Sequence, residues 1–374
     1  MKNENEGGFN ENLSEVNKEL SCKNCGSVLK YKIGSKSIAC TNCGTENEII
    51  AKKNVKIEEL DFKKALEKGA DEGEKQKIAT VKCPACGATS SLKPNVVTDD
   101  CAFCGTSLVI KNDQWTTSLK PKSVLPFAIK QEQGMTLFRE WVDSLWFAPN
   151  DLTSRAQTTE KLKGMYLPYW TYDSETYSTY TGERGDNYTV TENYKDENGN
   201  TKQREVTKTK WSNRSGDTER FFNDVLVVAT KSLPKNYLEA LEPWDLKSLV
   251  PYDDQYLSGF QTETYQVDLK TGFEVAKDKM DEVIKQDVRR DIGGDSQRIH
   301  KVNTKHSDIT FKHILLPIWI CAYTYNGEVF RFLVNGRTGE VQGERPYSWI
   351  KITLAVLAVL AIIGAIYYFA YLKK

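Results

Sequence analysis

SCKNCGSVLKYKIGSKSIACTNCGTENEI (21–49) returns further along the chain as KCPACGATSSLKPNVVTDDCAFCGTSLVI (82–110). Each copy reads Cys-x-x-Cys, fourteen residues, Cys-x-x-Cys. The first set is Cys22, Cys25, Cys40 and Cys43, and the second is Cys83, Cys86, Cys101 and Cys104. Two residues between cysteines let one tight turn aim both sulfurs at a single metal ion, and the intervening stretch lets a hairpin bring the second turn against the first. Glycine follows every pair, as Gly26, Gly44, Gly87 and Gly105. That position calls for a positive φ, which glycine adopts without steric cost.

Zinc takes four tetrahedral ligands and accepts thiolate sulfur at about 2.3 Å. The spacing therefore predicts two structural zinc ions, each held by four sulfurs with no open position for water. Redox dithiols are the rival reading, but a thioredoxin-like pair needs a βαβ setting for which neither repeat has room. Structural zinc supplies on the order of 10 kcal/mol of folding free energy, which a unit of some thirty residues needs because its apolar core is too small. Both repeats resemble zinc ribbons of the transcription-factor-IIB type. That resemblance implies a fold and a metal but no task.

Outward from the repeats, the sequence divides into a polar tail expected to be disordered (1–20), ribbon 1 (21–50), a helical linker (51–80), ribbon 2 (81–112), an α+β domain (116–347) and a transmembrane helix (350–372). In the linker, Ile57, Leu60, Ala65 and Leu66 offer a short apolar helical face. The α+β domain looks duplicated around an antiparallel sheet. SVLPFAI (123–129), an amphipathic helix marked by Met135, Phe138, Trp141, Val142 and Leu145, and the strand KGMYLPYWTYD (163–173) make a first unit. LVPYDD (249–254), the helical stretch 277–290 and KHILLPIWICAYTY (312–325) make a second, matching Leu167-Pro168-x-Trp170 to Leu316-Pro317-x-Trp319. Residues 188–195 and 201–211 read as a hairpin about the turn DENGN, 221–230 as a separate buried strand, and 328–343 as a closing hairpin.

From Ile352 to Leu372 the chain runs 21 residues without a charge. At about 1.5 Å per residue this crosses a hydrocarbon core of roughly 30 Å. Trp349 at one end and Tyr367, Tyr368 and Tyr371 at the other form aromatic belts, and Lys351, Lys373 and Lys374 bracket the span. No signal peptide pattern opens the chain, and the cysteines suit a reducing compartment. A single-pass, tail-anchored protein with its bulk in the cytoplasm is the expectation.

Composition bounds the function. The 374 residues carry zero net charge, and residues 1–120 hold 18 Lys against 17 Asp and Glu, so the basic footprint of a nucleic-acid binder is missing. The nucleotide loop G-x-x-x-x-G-K-[ST] does not occur; IGSKS (33–37) is not that motif. His313 and Cys321 on one strand would stand roughly 26 Å apart, out of reach as a catalytic dyad. The aromatic series Tyr166, Tyr169, Trp170, Tyr172, Tyr177 and Tyr180 fits core packing better than base stacking, and Asp253 and Asp254 fit a capped turn. No catalytic residues and no small-molecule substrate are expected.

The order of elements resembles a bacterial family of zinc-ribbon membrane proteins that often carries the label of primosomal-protein-N′-like helicases. The matching features are the ribbons, the two Leu-Pro-x-Trp strands, the Trp211 to Gly216 turn leading into FFNDVLVVA, and the terminal span. Members are similar to the zinc-ribbon membrane anchor encoded beside phage-shock-protein-A and SPFH (flotillin-type) proteins in Bacillus. The resemblance implies a scaffold at the lipid bilayer that recruits protein partners, including proteins of those two kinds, in membrane stress. Two other classes stay open: a membrane-tethered ribbon linked to transcription or replication, and an unrecognised enzyme of the 116–347 domain.

Overall fold

The computed structural model describes residues 14–15, 20–50, 57–67, 75–91, 98–109, 114–152, 162–196 and 199–372. It is an α+β protein with antiparallel and mixed sheets. Its principal elements are α1 (Gln131–Ser144), β1 (Lys163–Lys195), β2 (Thr201–Val228), α2 (Leu269–Ile292), β3 (Ser296–Tyr325), β4 (Glu328–Asn335), β5 (Val341–Gly343) and the C-terminal α3 (Trp349–Leu372). β1 lies between β2 and β3, antiparallel to both; β4 pairs antiparallel with Ile318–Tyr325 of β3, and β5 pairs with β4. At about 3.3 Å per residue, the 33 residues of β1 make a blade roughly 110 Å long.

The two Leu-Pro-x-Trp segments pair with each other: Leu167 faces Leu316, and Tyr166 faces Pro317. Beside each runs a short parallel strand, Ser123–Val124 along Ile314–Leu315 and Gln261–Thr262 along Met165–Tyr166. The chain therefore uses the order strand, helix, long strand, strand twice, each short strand pairing with the other unit's long strand. The short strand of the second unit is Gln261–Thr262 rather than the expected 249–254; Val250–Pro251 instead lies antiparallel to Ser123–Val124.

Successive strand residues point to opposite faces. Met165, Leu167, Tyr169, Ile314, Leu316, Ile318 and Ile320 share one apolar cluster, whereas Tyr166, Leu315, Trp319, Cys321 and Tyr323 belong to another. The two clusters therefore line opposite faces. Leu29, Tyr31, Ile38 and Ile49 of the first cysteine repeat join the Tyr166 face; Ala88, Ala102, Phe103 and Leu108 of the second join the Leu167 face. The repeats clasp one sheet from its two sides.

Further along the blade, α2 covers the face bearing Trp170, Tyr172 and Tyr180, burying Leu269, Phe273, Ala276, Met280, Ile284, Val288 and Ile292 at helical spacing. Asp268 caps its start by accepting the Thr271 N–H, and Gly293 at φ 66° ends it. Helix and sheet approach closely at two glycines. A Cβ on Gly182 would sit 2.9 Å from the Ile292 Cδ1, and one on Gly272 would strike the Tyr172 hydroxyl.

Several expectations need correction. The segments 188–195 and 163–173 are one strand, as are 201–211 and 221–230. Trp211 to Gly216, expected as a turn, lies inside β2 and pairs with Gly185 to Tyr180. Among the described residues of the linker only Phe62–Glu67 is helical; Leu60–Asp61 pairs with Thr310–Phe311, and Lys75–Lys82 is a strand against Gln114–Leu119. Phe62 is the buried anchor, among Tyr172, Phe273 and Phe311, while Leu66 is exposed. Of the tail expected to be disordered, Ser14–Glu15 pairs with Gln76–Lys77, and the rest up to residue 19 lies outside the described residues. Lys373 and Lys374 also lie outside them.

Candidate metal centres

Each repeat folds into two turns that carry its cysteines. The N–H of Gly26 donates to Cys22 O (2.8 Å), Gly44 to Cys40 O (3.0 Å), Gly87 to Cys83 O (2.9 Å) and Gly105 to Cys101 O (2.9 Å). All four glycines have φ between 73° and 77°, the left-handed region that an L side chain resists. Short antiparallel strands hold the turns together. They are Leu29–Tyr31, Ser37–Cys40 and Glu46–Glu48 in the first repeat, and Thr98–Asp100 with Ser107–Val109 in the second.

The sulfurs converge. Cys22, Cys25, Cys40 and Cys43 form one group and Cys83, Cys86, Cys101 and Cys104 another, with all Sγ atoms of a group within 4.8 Å of one another. Cys22 and Cys43 stand 3.6 Å apart, Cys25 and Cys40 3.5 Å, and Cys83–Cys104 and Cys86–Cys101 3.6 Å each. A disulfide needs about 2.05 Å. The edge of a sulfur tetrahedron around an ion at about 2.3 Å is close to 3.8 Å, so the spacing fits two metal-binding clusters of four cysteines each. None of the eight is in a disulfide.

The first cysteine of each Cys-x-x-Cys pair is buried (Cys22, Cys40, Cys83 and Cys101); the second is exposed in the first repeat (Cys25 and Cys43) and half-buried against the sheet core in the second (Cys86 and Cys104). Two threonines missed in the sequence reading complete the sites. Thr45 Oγ1 lies 3.1 Å from Cys43 Sγ, and Thr106 Oγ1 lies 3.2 Å from Cys104 Sγ. The signal was present as Cys-Gly-Thr at both positions. Hydrogen bonds from the Thr45 hydroxyl and N–H hold the Cys43 thiol down to about 5, which favours the thiolate a metal binds. At Cys104 burial pushes up, but the Thr106 hydroxyl and N–H outweigh it and leave the thiol at about 7.

Both clusters are fixed to the sheet. In the first repeat the Tyr31 N–H donates to Ser258 O, Ser258 Oγ donates to Leu29 O, and the Tyr31 ring meets Tyr256 edge-on. In the second, Phe103 is fully buried and its carbonyl accepts from Arg331, Lys163 Nζ donates to Asp100 O, and Ser90 bridges Glu263. Glu263 is itself buried and takes hydrogen bonds from Ser232 and Gln266; burial pushes its carboxyl up to about 7.

Tyr166, Tyr169, Trp170, Tyr172 and Tyr180 are core residues, and Tyr177 is exposed on the blade. His313 is buried against Trp170, its Nδ1 3.0 Å from Leu119 O, and Cys321 is buried further along β3. Asp253 accepts the Gln255 N–H and caps a short 3-10 turn over Asp254–Leu257.

Among curated proteins, the chain is similar to YdjG of Bacillus subtilis strain 168, an uncharacterized protein. The two are 25% identical over 340 residues, which is 88% of this chain and 91% of the relative. No family model matches the chain, and no solved structure matches it.

Proposed function

We propose that the protein is a membrane-anchored zinc-ribbon scaffold that docks protein partners at the cytoplasmic face of the membrane. The observation that carries the reading is the pairing of two closed, all-sulfur clusters with a C-terminal helix that the fold leaves bare. α3 holds a stretch, Trp349–Tyr371, long and apolar enough to cross a bilayer, with none of it buried against the rest of the protein. A core helix of that composition would be covered. Water around Leu354, Leu357, Leu360, Ile363 and Ile366 would be costly, and lipid removes the cost.

The ions are zinc in this reading, because four thiolates in a redox-inert, tetrahedral set suit it. Their role is structural: every coordination position is taken by sulfur, so no water is activated there. Each ribbon presses its inner cysteines toward the sheet, and the first turns its outer pair, with Lys23, Asn24, Thr41 and Asn42, toward a docking partner. Similarity to an uncharacterized relative transfers no activity. The family of zinc-ribbon membrane proteins and a part in membrane stress, with partners of the phage-shock-protein-A or SPFH kind, belong to the same proposal, as does the reading of the twice-used strand order as a duplication.

Recovery of partners from membranes tests it. The full-length protein and a variant carrying Cys22→Ser and Cys83→Ser are captured side by side after gentle detergent extraction. The scaffold reading expects the set of co-purifying proteins to collapse in the variant. An unchanged set contradicts docking through the ribbons.

A further inference from the structure

The sheet end of the molecule meets the candidate span at a loop whose largest side chain stands in the open. Between α1 and the end of that layer, Leu145 to Pro149 turns back, with Ala148 and Leu152 buried in the core beneath. Trp146 is 79% exposed, and Phe147 beside it 37%. The loop is tied directly to the start of α3. The Ser348 N–H donates to Phe147 O (2.7 Å), and Lys351 Nζ donates to Ala148 O (2.8 Å). Beside it Tyr347, Trp349 and Ile350 are also exposed.

We infer that Trp146 and Phe147 form, with Tyr347 and Trp349, a footprint that sits in the headgroup layer of the phospholipid bilayer. The inference rests on α3 being a membrane span. Given that, depth follows from geometry. The charge-free stretch begins at Ile352, and Ser348 lies four residues earlier, about 6 Å at 1.5 Å per residue. The headgroup layer is itself about 5 to 8 Å thick. A carbonyl hydrogen-bonded to Ser348 therefore lies at about the depth of that layer. Two further features suit the location. Tryptophan places an apolar body and a polar edge where water meets hydrocarbon. The carbonyls of Phe147 and Ala148 are already satisfied by Ser348 and Lys351, so lowering the loop toward lipid strands neither of them. The consequence is a second contact beside the single helix, which fixes the domain's tilt on the membrane surface instead of leaving it swinging on a tether.

Quenching by brominated lipids tests this. Full-length protein is reconstituted into phosphatidylcholine–phosphatidylglycerol vesicles whose lipids carry bromine either shallow or deep in the acyl chain. Emission of Trp146 is isolated as the difference between the parent and Trp146→Phe, and that of Trp349 as the difference from Trp349→Phe. Trp146 is exposed, so its replacement leaves the fold intact, and circular dichroism verifies this. Loss of the Trp146 emission, stronger with shallow than with deep bromine, is the expected result. An unquenched Trp146 beside a quenched Trp349 overturns the footprint, leaves the span standing and points to a protein partner on the patch. Neither tryptophan quenched overturns both.

Discussion

Thr45 and Thr106 show how the metal sites reach past their ligands. Each hydroxyl sits against the fourth cysteine of its cluster, and groups in that position orient a ligand and tune its basicity. Thr45→Val should weaken zinc retention at the first site by about 10-fold or more in chelator competition, whereas Thr45→Ser should hold it. Glu263 makes a prediction of a different kind. Its folded pKa lies above the ordinary carboxylate value, so its contribution to stability is complete below about pH 4.5 and is lost as pH rises through about 7. The loss is on the order of 3 kcal/mol. Melting of the detergent-solubilised chain should therefore fall between pH 5 and pH 8. Glu263→Gln, which keeps acceptors for Ser232 and Gln266, should flatten that slope. An equal slope in the variant would remove Glu263 as its cause.

At the scale of elements, the linker and α2 hold one another. Phe62 packs on Phe273 of α2 and on Tyr172 and Phe311 of the sheet, so the segment between the ribbons is pinned rather than a free tether. Phe62→Ala should cost about 3–5 kcal/mol in denaturant unfolding. Gly272→Ala should also destabilise, by about 1–3 kcal/mol, since its methyl has no room beside the Tyr172 hydroxyl. Neither substitution should alter zinc content. Much of this layer was hidden in the sequence for a physical reason. The distal blade is solvated on both faces or covered by a helix on one, so residues 212–219 show no alternation of apolar and polar side chains, and Trp211-Ser-Asn-Arg-Ser-Gly216 reads as a turn. Only cross-strand pairing keeps it extended. Phe62 was missed because its partners lie more than a hundred residues away. The cysteine clusters, by contrast, were legible: cysteine spacing, glycine and turn geometry are all local.

Across the whole molecule, the two cysteine clusters grip opposite faces of a single sheet, and the bare helix leaves from the same end of the fold. Which ribbon takes which face depends on the parity of β1 and β3, set by Leu167 meeting Leu316, and no single segment displays it. The account stands most directly on the metal. Full-length protein purified from membranes without added metal should contain two equivalents of zinc, falling to one in Cys22→Ser and to one in Cys83→Ser, with the eight ligand thiols unreactive until the zinc is chelated. Far less than two equivalents, or those sulfurs found as disulfides in material quenched directly from cells, would contradict it.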